Sequence, residues 1–519
     1  MVHASKKFAD SRGDDVALID EERSMTWSEL DTRTNQLLSG LRGGGLGFGD
    51  IFSVLTGNRC EYFEVMSAGA HAGQQTVPIN WHWSAEELAY VIEDSGSKAF
   101  IVDGRFRDVA LEAVDRLDSA PDLLVLMADD APDGWVTYEE LLASGSSDEP
   151  SDQSMGGPMF YTSGTTGFPK GVKSGVSSEP VDPALIELTS AGFRMWMGYE
   201  LPARFYLNGP GYHSAQWAWS VLPLVGGASV VMTHKFDPAE CLRVIDEHQV
   251  THTHLVPTQF IRLLKLPADE REAFDGASLK QVWHGAAPCP PEVKRQMIEW
   301  WGPNISEYYG GTEGGIISLA TADQWLEHPG TVGSLTGSAE VRILDDDGVE
   351  QPAGSSGQIW FKSATGRDFE YHNAPDKTAA AHREGGWGTL GDIGYFDDEG
   401  LLYLSDRKID MIISGGVNIY PAEIEGCLVT HPAVKDSAVF GIPHDEMGEE
   451  VKAAVELTEG HEPSDDLARE LMAHVREHLA GYKVPRSVDF EAEFPRHPTG
   501  KLYKRLLRDP YWEGTGRSM

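Results

Sequence analysis

Short apolar runs alternate along this chain with segments that carry their own helix start and stop signals. That alternation constrains the fold more than any other feature. "IFSVLTG", "KAFIVDG" and "LLVLMA" are too short to be helices and read as buried strands. "TWSELDTRTNQLLSGLRGGG" places Thr26 and Glu29 at capping-box spacing. Leu30, Leu37, Leu38 and Leu41 then share one helical face, and Gly43 to Gly45 stop the helix. "DPAECLRVIDEHQV" offers Asp237 as N-cap, Pro238 at the first helical position and Glu240 three residues after the cap, shortly after the apolar "SVVMT". Strands alternating with helices predict an α/β fold with largely parallel sheets.

At 519 residues the chain is too long for a single core, so two or more domains are expected. Two segments read as connections. "SGSSDEPSDQSMGGP" (144–158) is polar and rich in helix and strand breakers. The second lies near "SDRKID" (405–410); past it the chain ends in a compact unit containing "SDDLARELMAHVREHLAGYKVP". There Ser464 is the cap, and Leu467, Leu471, Val475 and Leu479 form the apolar stripe. The boundary is placed at about 405, giving domains 1–405 and 406–519 with a hinge at about 406–410. No internal repeat is visible.

A hydrophobic fraction of 41% and a charged fraction of 24% are ordinary for a soluble globular protein. The net charge of -39, from 42 Lys+Arg against 81 Asp+Glu, argues against nucleic-acid binding and against docking to anionic lipid. It reads instead as solubility, including in a salty cell interior. Cys60, Cys241, Cys289 and Cys427 are widely spaced, so neither a disulfide framework nor a zinc site is expected and a reducing cytoplasm fits. The opening "MVHASKKFAD" lacks the apolar core of a signal peptide, and no apolar run reaches membrane-spanning length.

Four stretches could carry chemistry. In "YTSGTTGFPKGV" (161–172), Thr162, Ser163, Thr165 and Thr166 offer hydroxyls. Gly164, Gly167 and Gly171 let backbone approach a charged ligand, and Lys170 offers a point charge. This is not the P-loop pattern. Gly164 and Gly167 are too close, Lys170 precedes Gly171 where Ser or Thr is required, and Pro169 removes a backbone donor. A flexible linker would explain the Gly and Ser but not the tyrosine, the Pro-Lys pair or the preceding "PMFY". The second stretch is "EYYGGTEGG" (307–315). Its rings can stack on a purine, and its Thr-Glu pair can hold a hard cation through oxygen; an ordinary turn is the bland alternative. In the third, 390–425, Asp392 follows a glycine where a carboxylate can accept both ribose hydroxyls, with Arg407 as a nearby cation. Asp397, Asp398 and Glu399 read as a solvated hairpin tip before Gly400. In the fourth, "PTGKLYKRLLRD" (498–509), Lys501 projects from a turn, and Lys504, Arg505 and Arg508 read as a solvated helix face.

Taken in order, these four stretches resemble the adenylate-forming superfamily of acyl-CoA synthetases, peptide-synthetase adenylation domains and beetle luciferases. The resemblance runs from the Thr26 helix to Lys501 and rests on "YTSGTTGFPKG", "GDIGYFDDEG", "MIISGGVNIYPAEIE" and "PTGK". "GPGYHSA" (209–215) and "HGAAPCP" (284–290) point to the bacterial acyl-CoA synthetase branch. It implies a large N-terminal α/β domain, with mixed and parallel sheets flanked by helices, and a small mobile α+β C-terminal domain.

The resemblance also implies the chemistry. A carboxylic acid is joined to ATP with release of pyrophosphate, and the acyl group then passes to the thiol of coenzyme A. An anionic carboxylate must attack an anionic phosphate, so cations must neutralise both. Lys501 would bridge carboxylate and phosphate. Residues 162–167 with Lys170 would hold the β- and γ-phosphates, Thr312 would position the α-phosphate, and Glu313 with Thr165 would bind Mg²⁺. Gly285, Ala286 and Ala287 would frame adenine together with Glu307, Tyr308, Tyr309 and Gly310, while Asp392 and Arg407 would hold ribose. For the second step the C-terminal domain would rotate and exchange the Lys501 loop for "SGGVNIYP", where Gly415 and Gly416 let pantetheine pass close to backbone. Lys483 and Arg486 are candidate contacts for the coenzyme A nucleotide, against a reading as a solvated post-helix turn. Two departures stand out. The usual charged hinge position is Ile409, with Lys408 one place earlier, and "YYGGTE" carries extra glycine character that would loosen the wall near the acyl carbonyl.

The acyl pocket would be lined by His213, Gln216, Trp217, Trp219, Trp283 and Gly311. Large rings with no lysine or arginine predict an apolar acid, a fatty acid first, with an aryl, cinnamic-type or steroid side-chain acid as alternatives. The tryptophans read equally as core, and His213 equally as a packed histidine. An acyl-adenylate enzyme that loads a carrier protein is the rival within the family; a P-loop NTPase is the rival outside it. The remaining signals read as structure. "GGGLGFGD" follows a helix and is a helix stop, "THTH" (251–254) lacks a third ligand, and no G-x-S-x-G elbow makes Ser163 a hydrolase nucleophile. A homodimer is compatible with the chain but not selected by it.

Overall fold

The computed structural model describes residues 4–152, 154–162, 169–173, 183–364, 366, 368–407, 410–415, 417–444, 447–496 and 502–513. They pack as two compact units: Met1–Leu255 with Leu266–Val282 and Phe369–Ala380, and Val256–Lys265 with Trp283–Asp368 and Ala381–Met519.

The first unit is built on the predicted alternation. The helix Trp27–Gly43 opens on a complete capping box. Thr26 Oγ1 accepts from the Glu29 amide, and the Glu29 carboxylate accepts from the Thr26 amide at 2.7 Å. Strands Ile51–Leu55, Gln75–Pro78, Ala99–Asp103 and Leu123–Met127 run parallel within a six-stranded sheet. Both faces of that sheet are buried, which is why its strands read as continuous apolar runs. Phe52 and Val54 pack with Leu37, Leu38 and Leu41 of the capped helix, while Leu55, Phe100 and Val102 pack with Trp81, Trp83 and Leu88. Each such fully buried side chain contributes roughly 1.5–3 kcal/mol.

Elsewhere in this unit, Val16–Ile19, Ser229–Met232, Arg204–Leu207 and His252–Leu255 are parallel neighbours in that order. The connection read at 144–158 is more ordered than its composition suggests. Gly157–Pro158 adds an edge strand beside Gln75–Pro78. A Cβ at Gly156 would lie 2.2 Å from the Gln74 carbonyl oxygen, so the glycine permits a close backbone approach.

The second unit contains an antiparallel succession: Ile305–Gly311, Gly315–Ala320, Thr331–Leu335, Leu402–Arg407, Asp392–Phe396 and Gly357–Ser363. Its C-terminal part is a separate five-stranded sheet around the long pair Val434–His444 and Gly448–Leu457. Helices Pro421–Val429 and Asp465–His478 share a core with it. Leu467, Leu471 and Val475 meet Ile412, Ile419, Ile424 and Leu428 there. Ser464 caps the second of these helices, and Leu479 follows the last turn, only half-buried. This is the α+β character expected of the C-terminal region. The helix Lys504–Trp512 differs from expectation: Lys504 and Arg508 are half-buried, and Lys504 Nζ pairs with Glu425 Oε1 at 2.8 Å.

Candidate active site

The described ends of the glycine- and hydroxyl-rich stretch are two paired strands. Phe160–Thr162 pairs antiparallel with Lys170–Val172, with Lys170 opposite Thr162 and Gly171 opposite Tyr161. Ser163, Gly164, Thr165, Thr166 and Gly167 lie outside the described residues. The base of the hairpin is anchored within the first unit. Tyr161 donates to Asp94 Oδ2 at 2.6 Å, and the His372 amide donates to the Gly171 carbonyl at 2.7 Å. Burial and the Asp94 carboxylate push the Tyr161 phenol well above its ordinary pKa, so it stays a donor. Gly171 is pinned between Tyr161 and His372, where a Cβ would meet both at about 3 Å. Lys170 Nζ lies 5.1 Å from the centroid of the Tyr371 ring, so ring and lysine are held together.

Also within the first unit, His213 immediately precedes the short helix Ser214–Ala218 that presents Gln216 and Trp217. Gln216 is buried and its Nε2 donates to His254 Nδ1 at 3.1 Å. Trp217 meets Phe160 edge-on at 5.8 Å, which ties the proposed acyl wall to the hairpin strand. Trp219 is buried in core, 5.2 Å from the His254 ring. The "THTH" histidines are packing groups. His252 stacks on Phe205 at 4.6 Å, and burial lowers the pKa to about 4 for His252 and about 3 for His254.

The second unit supplies the other motifs. Gly285 is pressed onto Tyr308: a Cβ would lie 2.7 Å from its ring and 2.8 Å from its carbonyl oxygen. The next residue, Ala286, holds a left-handed backbone at φ 67. For alanine that conformation costs about 1–2 kcal/mol, and such strain clusters at ligand sites. Thr312 and Glu313 sit at the tip of the hairpin Ile305–Gly311/Gly315–Ala320, where Gly311 pairs with Gly315. The extra glycine has a structural reason. The register shifts between Tyr309 and Gly310, and a Cβ at Gly310 would lie 1.9 Å from the Gly315 carbonyl oxygen.

Tyr309 Oη donates to Asp392 Oδ2 at 2.9 Å, joining the residue expected at adenine to the one expected at ribose. Asp392 follows Gly391, at φ 82, and stands opposite Arg407 across its strand pair. Glu307 is turned inward. Its carboxylate meets Lys294 Nζ at 2.7 Å, with His284 Nε2 at 3.6 Å. Desolvation raises the Glu307 pKa and lowers that of Lys294, each opposed by the other's charge.

Gly415 begins the turn between Ile412–Ser414 and Val417–Ile419 with φ 58. Ile413, Val417 and Met447 are exposed around it, an apolar rim the motif did not announce. Lys483 Nζ is engaged by Glu423 Oε2 at 2.5 Å, whereas Arg486 is exposed. Gly416, Lys408, Ile409 and Lys501 lie outside the described residues. The residues flanking Lys501's segment, Arg496 and Leu502, pair as an antiparallel bridge. Trp283 is buried. Ala286 was named from sequence, but its left-handed backbone, together with Tyr371, His372 and the Gly415 rim, escaped sequence reasoning, because backbone sign, a distant strand and surface apolarity leave no local motif.

Residues 5–366 match the family described as AMP-binding enzyme, and residues 423–501 match the AMP-binding enzyme C-terminal domain. A medium/long-chain-fatty-acid–CoA ligase, FadD8 of Mycobacterium tuberculosis, is 32% identical over 95% of this chain and 87% of its own. A fatty acid–[acyl-carrier-protein] ligase, ScoC of Streptomyces coeruleorubidus, is 28% identical over 97% of this chain and 95% of its own. Among solved structures, o-succinylbenzoate CoA synthetase (MenE) of Bacillus subtilis, in complex with its acyl-adenylate OSB-AMP, superposes with a TM-score of 0.80 at 26% identity. That alignment covers 98% of both chains.

Proposed function

Since the chain belongs to the AMP-binding enzyme family, as an AMP-forming acid–CoA ligase, we propose that it activates an apolar carboxylic acid, a fatty acid first, and passes it to coenzyme A. The single observation that carries this reading is the Tyr308–Tyr309 strand. It presses on Gly285 beside the strained Ala286, and it reaches Asp392 through the Tyr309 hydroxyl. A glycine with no room for a Cβ and an adjacent left-handed alanine make a backbone edge suited to a flat base. A carboxylate held by a tyrosine suits two ribose hydroxyls.

On this reading Lys170 and the hydroxyls of 162–166 grip the departing pyrophosphate. Thr312 orients the α-phosphate, and Lys501 offsets charge on both the attacking carboxylate and the phosphorus it meets. Glu313, with Thr165, would hold Mg²⁺, which supplies charge neutralisation on the phosphates. Gln216, Trp217 and Trp283 favour an apolar acyl group, since none offers a charge to a second carboxylate. In the thioester step the rim of Ile413, Val417 and Met447 beside Gly415 suits the apolar stem of pantetheine. Residues 406–519 would rotate between the two steps about a hinge at about 406–410, with Lys408 or Ile409 as pivot.

The relatives include a ligase that loads an acyl-carrier protein, so a carrier-protein thiol is the second reading. Mass spectrometry of products over a panel of fatty, aryl and steroid side-chain acids, with ATP, Mg²⁺ and coenzyme A, tests both. AMP, pyrophosphate and an acyl-CoA are expected. ADP as product would refute adenylation, and acyl-AMP without acyl-CoA would move the acceptor to a carrier protein.

A further inference from the structure

A cluster unrelated to the adenylation motifs lies between helices Pro421–Val429 and Asp465–His478. Cys427, on the first, faces His474 and His478, four residues apart on the second. One ligand atom from each lies within 4.8 Å of the others. A sulfur and two imidazole nitrogens are the donors of a borderline-soft divalent metal such as zinc, and a tetrahedral site would set them about 3.5 Å apart. Going from at most 4.8 Å to that spacing is a shift of about 1 Å in the ligand atoms.

The surrounding hydrogen bonds already fix the imidazole tautomers. His474 Nε2 lies 3.2 Å from the Cys427 carbonyl oxygen and 2.9 Å from Thr430 Oγ1, whose own proton goes to that same carbonyl. Nε2 therefore carries the hydrogen, and Nδ1 keeps its lone pair. His478 Nδ1 donates to the His474 carbonyl at 2.8 Å, which leaves the lone pair on its Nε2. Backbone carbonyls holding the second nitrogen of each histidine are the usual outer support of a metal site. A further ring, His431, stands edge-on to His474 at 5.2 Å. Its Nδ1 accepts from the Ala433 amide, and its Nε2 faces Glu470 at 3.3 Å.

We propose that Cys427, His474 and His478 form a binding site for one zinc-class divalent ion, with water as the fourth ligand. Binding replaces the thiol proton of Cys427, released to solvent, with a sulfur–metal bond. The ion would staple two helices of the C-terminal sheet, directly after the strand that follows Gly415. Its role is structural and independent of the acid chosen. Sequence reasoning missed the site because the ligands are contributed 47 residues apart, from Cys427 to His474.

The test uses the whole protein, stripped with chelator and titrated with Co²⁺ in excess Mg²⁺, which occupies the many surface carboxylates. One equivalent per chain with a thiolate-to-cobalt charge-transfer band is expected. The band should vanish in Cys427→Ser, persist in Cys289→Ser, and lose its saturable equivalent in His474→Ala and in His478→Ala. As a check that needs no variant, Zn²⁺ should protect Cys427 from alkylation, read by peptide mass spectrometry. A band that survives Cys427→Ser, cobalt binding without a band, or alkylation of Cys427 unchanged by Zn²⁺ would each overturn the site.

Discussion

Replacing Lys294 by methionine isolates a buried charge that supports both segments proposed to face the nucleotide. Lys294 is fully buried, its Nζ lies 2.7 Å from Glu307 Oε2, and it sits 4.9 Å from the centroid of the Trp325 ring. At that separation the gross attraction is about 6 kcal/mol at an effective dielectric of about 20, most of it offset by desolvating both ions. Removing one partner forfeits the attraction and keeps the other ion's desolvation, which costs about 3–5 kcal/mol. In a unit of this size that lowers the melting temperature by roughly 10 °C.

The double change Lys294→Met with Glu307→Met removes both ions at similar volume and should recover most of the loss. The pH dependence has a definite sign. Without Lys294, the buried carboxylate gains by taking a proton, or by charging His284 at 3.6 Å. The folded state then binds more protons than the unfolded one, and stability must fall as pH rises. Differential scanning fluorimetry from about pH 6 to about pH 8 reads this as a deficit that widens upward, in the range where an ordinary imidazole titrates. Because Glu307 lies two residues before Tyr309, and His284 directly before Gly285, both half-reactions should weaken together. A double variant as unstable as Lys294→Met would refute the charge argument and leave only packing.

Lys501→Ala should lower adenylate formation, followed by pyrophosphate exchange, by about 10²–10³-fold. The same variant should leave thioester formation from supplied acyl-adenylate intact, and equal loss in both assays would exclude rotation of the C-terminal region. Tyr309→Phe removes the 2.9 Å bond to Asp392. It should raise the KM for ATP about fivefold, the equivalent of about 1 kcal/mol, with the KM for the acid unchanged. His252 and His254 are held neutral with pKa values of about 4 and about 3. The unfolded chain therefore binds the extra protons as pH falls below about 6.5, and stability falls with it, by about 3 kcal/mol per histidine at about pH 4. His254→Asn should flatten that acid limb in urea unfolding followed against pH.

The fold was legible where local signals and tertiary demands agree. The Thr26–Glu29 pair names its helix because the same two residues close the capping box. The strand Ala99–Asp103 names itself because both of its faces are buried, so no polar residue interrupts it before its last position, Asp103. The antiparallel pairs of the second unit were less visible. Ala339–Leu344 alternates buried and exposed positions and pairs with Gly357–Ser363, a relation that turn composition does not encode. Charge alone also misled at Lys504, read as solvated, because its partner Glu425 belongs to a distant helix.

At the site, residue type was legible and side-chain direction was not. "EYYGGTE" offers two carboxylates, and composition gives them equal standing. The strand separates them. Glu307 points to Lys294 inside the core, whereas Glu313 sits past the bulge at Gly310, on the hairpin tip. The Mg²⁺ proposed for this site would therefore be met by Glu313 at the tip, while Glu307 acts by holding the strand that carries Tyr309. The same logic divides the two glycines of "YYGGTE". At Gly310 a Cβ would collide with backbone at 1.9 Å; at Gly311 it would meet Leu390 at 3.1 Å, the movable end of a side chain. Gly310 is thus required by the backbone alone. Gly311 is the position where a larger residue can be accommodated, and so, if it borders the acyl group as proposed, the one of the two that can tune that wall without dismantling the turn.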